Sequence, residues 1–435
     1  MTNAVPADDG GFMRAPAQMQ LELPRIRLAS SRLTKRMVSL TGHRHVVTGL
    51  FAGIGGIELG LHRAGHSAEL LCENDPAAIA VLDDNFPKIA RHDDICTLQS
   101  LPSATTLVAA GFPCQDLSQA GMTKGISGKR SGLVGEVFRL IEQHKTSWVL
   151  LENVPFMLQL GRGAAMNVIT TALEDLGYRW AYRVIDSRAF GLPQRRRRVY
   201  LVASFEGDPR TVLFADEGES RTVTRGRRAP ACGFYWTEGL RGLGWAVDAV
   251  PTLKGGSSIG IPSPPAIVLS NGKVVTPDII DTERLQGFPS NWTKAAESVG
   301  RKSTRWKLVG NAVSVRAATW LGRRMVKPGV PRDFLTSPLR DHRHWPTAAW
   351  NIGEGRVRVE ASEWPVLWAY KSLEQFLTKE RLSPLSWKAT RGFLSRTERA
   401  KLIFPEGFID TLENHLKITG EAKTKTTGRR ARASN

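Results

Sequence analysis

The run HVVTGLF at residues 45–51 passes directly into AGIGGIELGLHRAG. This succession of apolar strand, glycine turn and amphipathic helix constrains the fold more than any other stretch of the chain. Glycines at such a turn let the backbone approach a ligand closely, and the helix that follows offers unpaired N–H groups at its start. The alternation continues downstream, with strands predicted at residues 68–72, 107–110, 147–151 and 197–205 and helices at 76–85, 166–176, 278–287 and 309–326. Strands alternating with helices predict an α/β fold with a doubly wound parallel sheet, which binds its ligands at the carboxyl ends of the strands. Gly53, Glu73 and Cys114 all fall at those ends.

Charge narrows the partners. Lys and Arg number 60 against 41 acidic residues, a formal net charge of +19, which favours a polyanion, with nucleic acid first and an acidic membrane surface second. The membrane is discounted, because no apolar run is long enough to span a bilayer. The four cysteines, Cys72, Cys96, Cys114 and Cys232, form no C-x-x-C pair, which argues against a zinc site and against a disulfide framework and fits a reducing cytosol. No internal repeat is visible. The expected organisation is a flexible basic arm at 1–44, a catalytic domain at 45–205 resuming at 276–327, and an irregular insert rich in Gly, Pro, Arg and Trp at 206–275. A Trp-rich extension at 328–422 and a basic disordered tail at 423–435 complete it.

After the strand at 107–110 comes GFPCQDLSQAG, a lone cysteine among turn-forming residues, where a sulfur is held in a cleft rather than in a core. On these residues alone, a small hydrophobe at a strand end explains Cys114 equally well. The glycine loop is likewise weak by itself. Glu73 suits ribose hydroxyls, which nicotinamide dinucleotides and S-adenosylmethionine share.

In this order from Phe51 to Val313, FAGIGGIELGL, ENDPAAIAVLDDNFP, DDI, GFPCQ, RSGLVGEVFRLI, LLENV, FGLPQRRRRVYLVA, ERLQGFP and GNAV resemble the DNA cytosine-5 methyltransferase family of bacterial and phage type. The resemblance implies a Rossmann-like, S-adenosylmethionine-dependent methyltransferase domain with a small irregular target-recognition domain and a C-terminal extension. It implies methyl transfer to carbon 5 of a flipped-out cytosine in double-stranded DNA by a monomer in the bacterial cytoplasm at the nucleoid. The enzyme then either shares its site with a cognate restriction endonuclease or stands alone.

Site residues follow from the same match. Cys114 is the nucleophile on cytosine C6, a task that suits a thiolate, and Glu152 holds N3 and the exocyclic amine. Arg198 touches O2, and Arg196 lies near the nucleophile and the phosphate; if 197–205 is a strand, the two share a face by its two-residue period. Phe51 lies against adenine, Glu73 on the ribose, and Asp94 on the adenine amino group with Ile95 beside it. Gly53, Gly55, Gly56, Pro113, Leu133 and Asn311 complete the cofactor pocket. Gln194, Thr252 and Leu253 are the expected DNA contacts. Asp93 and Ala312 stand where the family usually has glycine and serine.

Three alternatives stay open. A tRNA cytosine-5 methyltransferase would share every catalytic motif, although its usual Cys-Phe-Thr is absent, Cys232 being followed by Gly233 and Phe234. A catalytically dead DNA-binding regulator is opposed by the intact Cys114, Glu152 and Arg198. A nicotinamide-dependent oxidoreductase is opposed by a glycine spacing that is not G-x-G-x-x-G.

Overall fold

The computed structural model describes residues 42–113, 132–221, 229–256, 262–340, 343–400 and 402–432. Ten strands form the main sheet: β1 (Val46–Leu50), β2 (Ser67–Cys72), β3 (Ala90–His92), β4 (Leu107–Ala110), β5 (Trp148–Asn153), β6 (Arg179–Asp186) and β8 (Arg197–Ser204), with β14 (Thr336–Pro338), β15 (Ala348–Asn351) and β16 (Val357–Val359). The two-residue β7 (Gln194–Arg195) lies outside it. The order is β14-β16-β15-β6-β8-β5-β4-β1-β2-β3.

From β3 to β5 all neighbours are parallel, as the alternating pattern predicts. The other half differs, because β8 runs antiparallel between β5 and β6 and the three late strands continue antiparallel from β6. The sheet is therefore doubly wound only on the side that carries the glycine loop. Its inner strands are apolar on both faces, as a sheet covered twice requires. On one face Val108, Ala110 and Leu151 pack with Phe138 and Ile141 of the Leu133–His144 helix. On the other, Leu107, Ala109 and Leu150 pack with Ile57 and Leu61 of the Gly56–Arg63 helix and with Trp320 and Leu321 of the Val315–Val326 helix.

The domain boundaries differ from those expected. Residues 206–221 belong with the catalytic domain, since Val212, Leu213 and Phe214 sit in the main core. The rest of the insert is less irregular than its composition implies: β9 (Cys232–Phe234), β10 (Trp245–Val247), β12 (Ala266–Val268) and β13 (Val274–Thr276) form a second, antiparallel sheet, and β11 (Val250–Pro251) pairs with β7.

Nor is 328–422 a separate extension. Its first part supplies β14–β16 to the main sheet and places Trp345, Trp350 and Trp364 in the main core. Its second part adds β17 (Ser383–Pro384) to the edge of the second sheet. Helices Trp387–Thr397 and Phe408–Arg432 then cover that sheet, with Phe393, Phe408 and Leu412 packed on Cys232, Phe234, Ala266 and Val274. The stretch 423–432, expected to be disordered, continues this last helix to Arg432; it contains no proline, and it extends a helix already anchored by its buried first turns. Among the described residues no helix is long and apolar enough to cross a membrane.

Candidate active site

The carboxyl ends of β1, β2, β4 and β5 open into one cavity of about 850 Å³. Its wall includes Phe51, Gly53, Gly56, Glu73, Asp94, Ile95, Pro113, Leu133, Glu152, Arg198, Thr252, Leu253 and Asn311. Residues spread over 260 positions of sequence reading are thus brought to one place by the strand ends, as expected of a doubly wound sheet.

The glycine loop is shaped by left-handed backbone at Phe51 (φ 53°), Gly53 (φ 56°) and Gly55 (φ 76°). A side chain at Gly53 would meet nothing within 4 Å, so its face is open to the cavity. Gly55 differs from expectation: a Cβ there would lie 2.3 Å from the Phe86 ring, so this glycine serves packing behind the loop and does not line the cavity. Glu73 ties the loop to β2. One carboxylate oxygen accepts the Gly53 N–H at 2.7 Å, and the other accepts those of Asn74 and Asp75 at 3.0 and 2.9 Å. Asp94 is exposed and accepts the Cys96 N–H at 2.9 Å, beside buried Ile95.

Glu152 stands at the end of β5, buried, with Arg198 Nε 3.0 Å from its Oε1. Burial raises its carboxyl above the ordinary range, opposed by the charges of Arg198 and Arg196. Next to it Asn153 donates to the carbonyl of Phe112 at 3.1 Å, fixing the backbone that leads through exposed Pro113. Cys114 lies outside the described residues.

Arg196 corrects the expectation drawn from the two-residue period. The strand is interrupted between β7 and β8 at this residue, so Arg196 is buried and does not line the cavity as Arg198 does. Its guanidinium donates to the carbonyls of Leu253 (3.1 Å), Gly310 (3.3 Å) and Ala312 (2.5 Å), and burial depresses its pKa to about 9. Gln194 is also corrected. It is wholly buried, donating to Leu285 O at 2.9 Å and accepting from Leu253 N at 3.1 Å, with no face turned to a DNA groove. Thr252 and Leu253 do line the cavity, but the Thr252 hydroxyl is spent on Arg195 O at 2.8 Å. Gln194 and Arg196 therefore act as bolts that fasten the Thr-Leu segment and, through Gly310–Ala312, the end of the Thr304–Asn311 helix to the catalytic sheet. Asn311 is exposed at that helix end, its amide pressed against Gly255.

Sequence reasoning missed four residues on this wall. Asn153 carries its signal within LLENV. Lys254 follows the Thr-Leu pair, lies over the Tyr235 ring at 4.2 Å and pairs with Glu238 at 3.1 Å. Lys307 pairs with Asp75 at the rim, 2.8 Å apart. Glu58, buried in the first turn of the Gly56–Arg63 helix, lines the cavity too; an acid in that turn reads from sequence as a partner of the helix dipole.

A glycine-lined strand end, a carboxylate-fastened loop and a buried Glu–Arg pair share one cavity, the arrangement of a Rossmann-like domain with room for a nucleoside-bearing cofactor at its strand ends. The sequence profile of C-5 cytosine-specific DNA methylases matches residues 46–224. Type II methyltransferase M2.BsuMI of Bacillus subtilis (strain 168) is 48% identical over 384 residues, 84% of this chain and 97% of that one. Type II methyltransferase M.BanI of Aneurinibacillus aneurinilyticus is 36% identical over 175 residues, 39% of this chain and 40% of that one. The S. pombe Dnmt2 methyltransferase structure aligns with a TM-score of 0.44 at 17% identity, over 65% of this chain and 98% of that one. The chain belongs to the C-5 cytosine-specific DNA methylase family and is a DNA (cytosine-5-)-methyltransferase.

Proposed function

We propose that this enzyme methylates carbon 5 of a cytosine flipped out of a specific double-stranded DNA sequence, through a covalent Cys114 adduct at C6. Its role is that of the modification partner in a Type II restriction–modification pair or of a solitary or phage methyltransferase. The observation that carries the reading is the single cavity in which Glu152 and Arg198 face the glycine loop, with Pro113, the residue before Cys114, on the same wall.

In this reading the residues fit S-adenosylmethionine: Gly53 leaves room for close approach, Phe51 offers a ring, and Glu73 and Asp94 supply acceptors. The cofactor supplies the sulfonium methyl group that carbon 5 takes up. Cys114 adds as thiolate to C6, forming the S–C6 bond and moving the C5–C6 π pair toward C5 and N3. Glu152, held toward its protonated form by burial, donates to N3 as charge builds there, and Arg198 keeps it in place. After methyl transfer, water takes the C5 proton, the C5–H pair re-forms the C5–C6 double bond, the S–C6 pair leaves with Cys114 as thiolate, and N3 returns its proton to Glu152.

Flipping the base costs a few kcal/mol, roughly, in lost stacking. DNA contacts recover it in this reading, with the second sheet as the reader of sequence and Arg and Lys side chains holding the phosphates. The test is Cys114→Ser. Methyl transfer from a tritiated cofactor should vanish, while S-adenosylhomocysteine affinity by calorimetry stays within about threefold, because a hydroxyl is a far weaker nucleophile. Activity near wild type in that variant would remove Cys114 as nucleophile.

A further inference from the structure

Glu58 is 2% exposed, yet it lines the cavity beside Gly53 and Gly56. Its Oε2 has no hydrogen-bond partner, and no cation among the described residues offsets its charge. An ionised carboxylate without a cation in such a place is costly, and burial, with Glu73 adding to it and the residue's own backbone N–H opposing it, pushes the carboxyl up to about 7.

The fold makes room for this group deliberately. Gly49 lies within β1, next to its last residue and paired on both sides, where glycine weakens a strand. A Cβ at Gly49 would lie 2.2 Å from Glu58 Oε1, so the strand gives up a side chain to admit the carboxylate. A helix-dipole role does not require this, because an exposed acid in the first turn provides it without desolvation. What the site lacks is a small cation with N–H donors.

We propose that Glu58 is the acceptor for the α-ammonium of the cofactor's amino-acid end, a role that rests on reading the cavity as the S-adenosylmethionine site. The adenosine half has its own partners along Phe51, Glu73 and Asp94, whereas Glu58 lies on the Gly56–Arg63 helix against Gly49 of β1, in the same cavity wall as Phe112 and Pro113. The ammonium would neutralise the buried charge, and the carboxylate would orient the amino-acid end so that the methyl-bearing sulfur is held still.

The test compares two ligands on the full chain by calorimetry: S-adenosylhomocysteine, and its des-amino analogue with hydrogen in place of the ammonium. Glu58→Gln should weaken S-adenosylhomocysteine by about ten- to hundredfold, the range of a charged hydrogen bond, while the des-amino analogue changes by about threefold or less. The ratio between ligands cancels any general damage to the pocket, and Glu58→Asp, which shortens the reach, should show the same selectivity. Equal losses for both ligands, or none for S-adenosylhomocysteine, overturn the role of Glu58 alone. Wild type that binds neither ligand overturns the cofactor reading, and this proposal with it.

Discussion

Replacing Arg196 by alanine separates the two roles that a Gln-x-Arg-x-Arg motif permits, contact with the substrate or support of the site. The guanidinium serves three carbonyls in a buried setting, two of them well at 3.1 Å (Leu253) and 2.5 Å (Ala312) and the Gly310 carbonyl at a longer 3.3 Å. The Ala312 carbonyl keeps Gln286 Nε2 at 3.4 Å, whereas those of Leu253 and Gly310 lose their donor; two buried carbonyls left without donors cost about 1–3 kcal/mol each, so the loss should be about 2–6 kcal/mol. In a chain of this size a kcal/mol moves Tm by about 2 °C, which gives a fall of about 4–12 °C in a thermal melt. The carbonyls belong to cavity-wall segments around Leu253 and Gly310–Ala312, so affinity for S-adenosylhomocysteine should fall as well. Arg196→Lys, whose single ammonium cannot span three carbonyls, should lie between. A variant that melts within about 2 °C of wild type and binds S-adenosylhomocysteine normally, yet transfers no methyl group, would refute the reasoning and return Arg196 to the substrate.

Glu58→Gln should alter stability with the opposite pH trend to most carboxylate losses. The folded pKa of about 7 lies above the ordinary 4.5, so the stability that goes with the protonated carboxyl is full below pH 4.5 and lost as pH rises through 7. The variant escapes that loss: its cofactor-free form should gain about 3 kcal/mol over wild type at pH 8 and nothing at pH 4, and melts that shift equally at both pH values would contradict it. Phe393→Ala hollows the core under the second sheet, where the ring is fully buried between Phe234 and Phe408. At about 3–5 kcal/mol it should weaken DNA binding in an anisotropy assay and leave S-adenosylhomocysteine affinity unchanged; a loss of cofactor binding instead would mean that the two regions fold as one unit. Deleting 423–435, with Lys423, Lys425, Arg429, Arg430 and Arg432, should weaken target and nontarget duplexes alike and flatten the salt dependence of binding. A loss confined to the target duplex would make that segment a reader of sequence.

What the sequence made legible was the parallel half of the sheet and the residues at its strand ends, because glycine turns and continuous apolar strands are local signals. Directions of side chains were less legible. Arg196 and Arg198 sit two apart, and only the break between β7 and β8 turns them to different surroundings. β6 escaped notice because Arg179 and Arg183 interrupt its apolar run; Arg183 is wholly buried, held by the Leu213 and Asp216 carbonyls and by Glu217, partners about thirty residues away. The second sheet was hidden for a different reason. Its strands are two or three residues long, too short for any periodicity, and their pairing is decided by apolar residues that arrive much later in the chain.

That late arrival also dictates an order of events as the protein is made. Strands β1–β6 and β8 of the main sheet are complete in sequence by Ser204, and the Val315–Val326 helix closes their second face before β14–β16 extend the sheet. Phe234, by contrast, waits for Phe393 and Phe408, and Trp245 donates to the Ile403 carbonyl 158 residues on. Closing loops of that length precedes any gain from the contacts they bring, which makes this part of the fold intrinsically slow. A ribosome will therefore have produced a cofactor-binding scaffold well before the covering helices emerge to bury the second sheet. Throughout that interval the nascent enzyme exposes an aromatic surface, open to chaperones and proteases, and the last step of its maturation is the sealing of that surface.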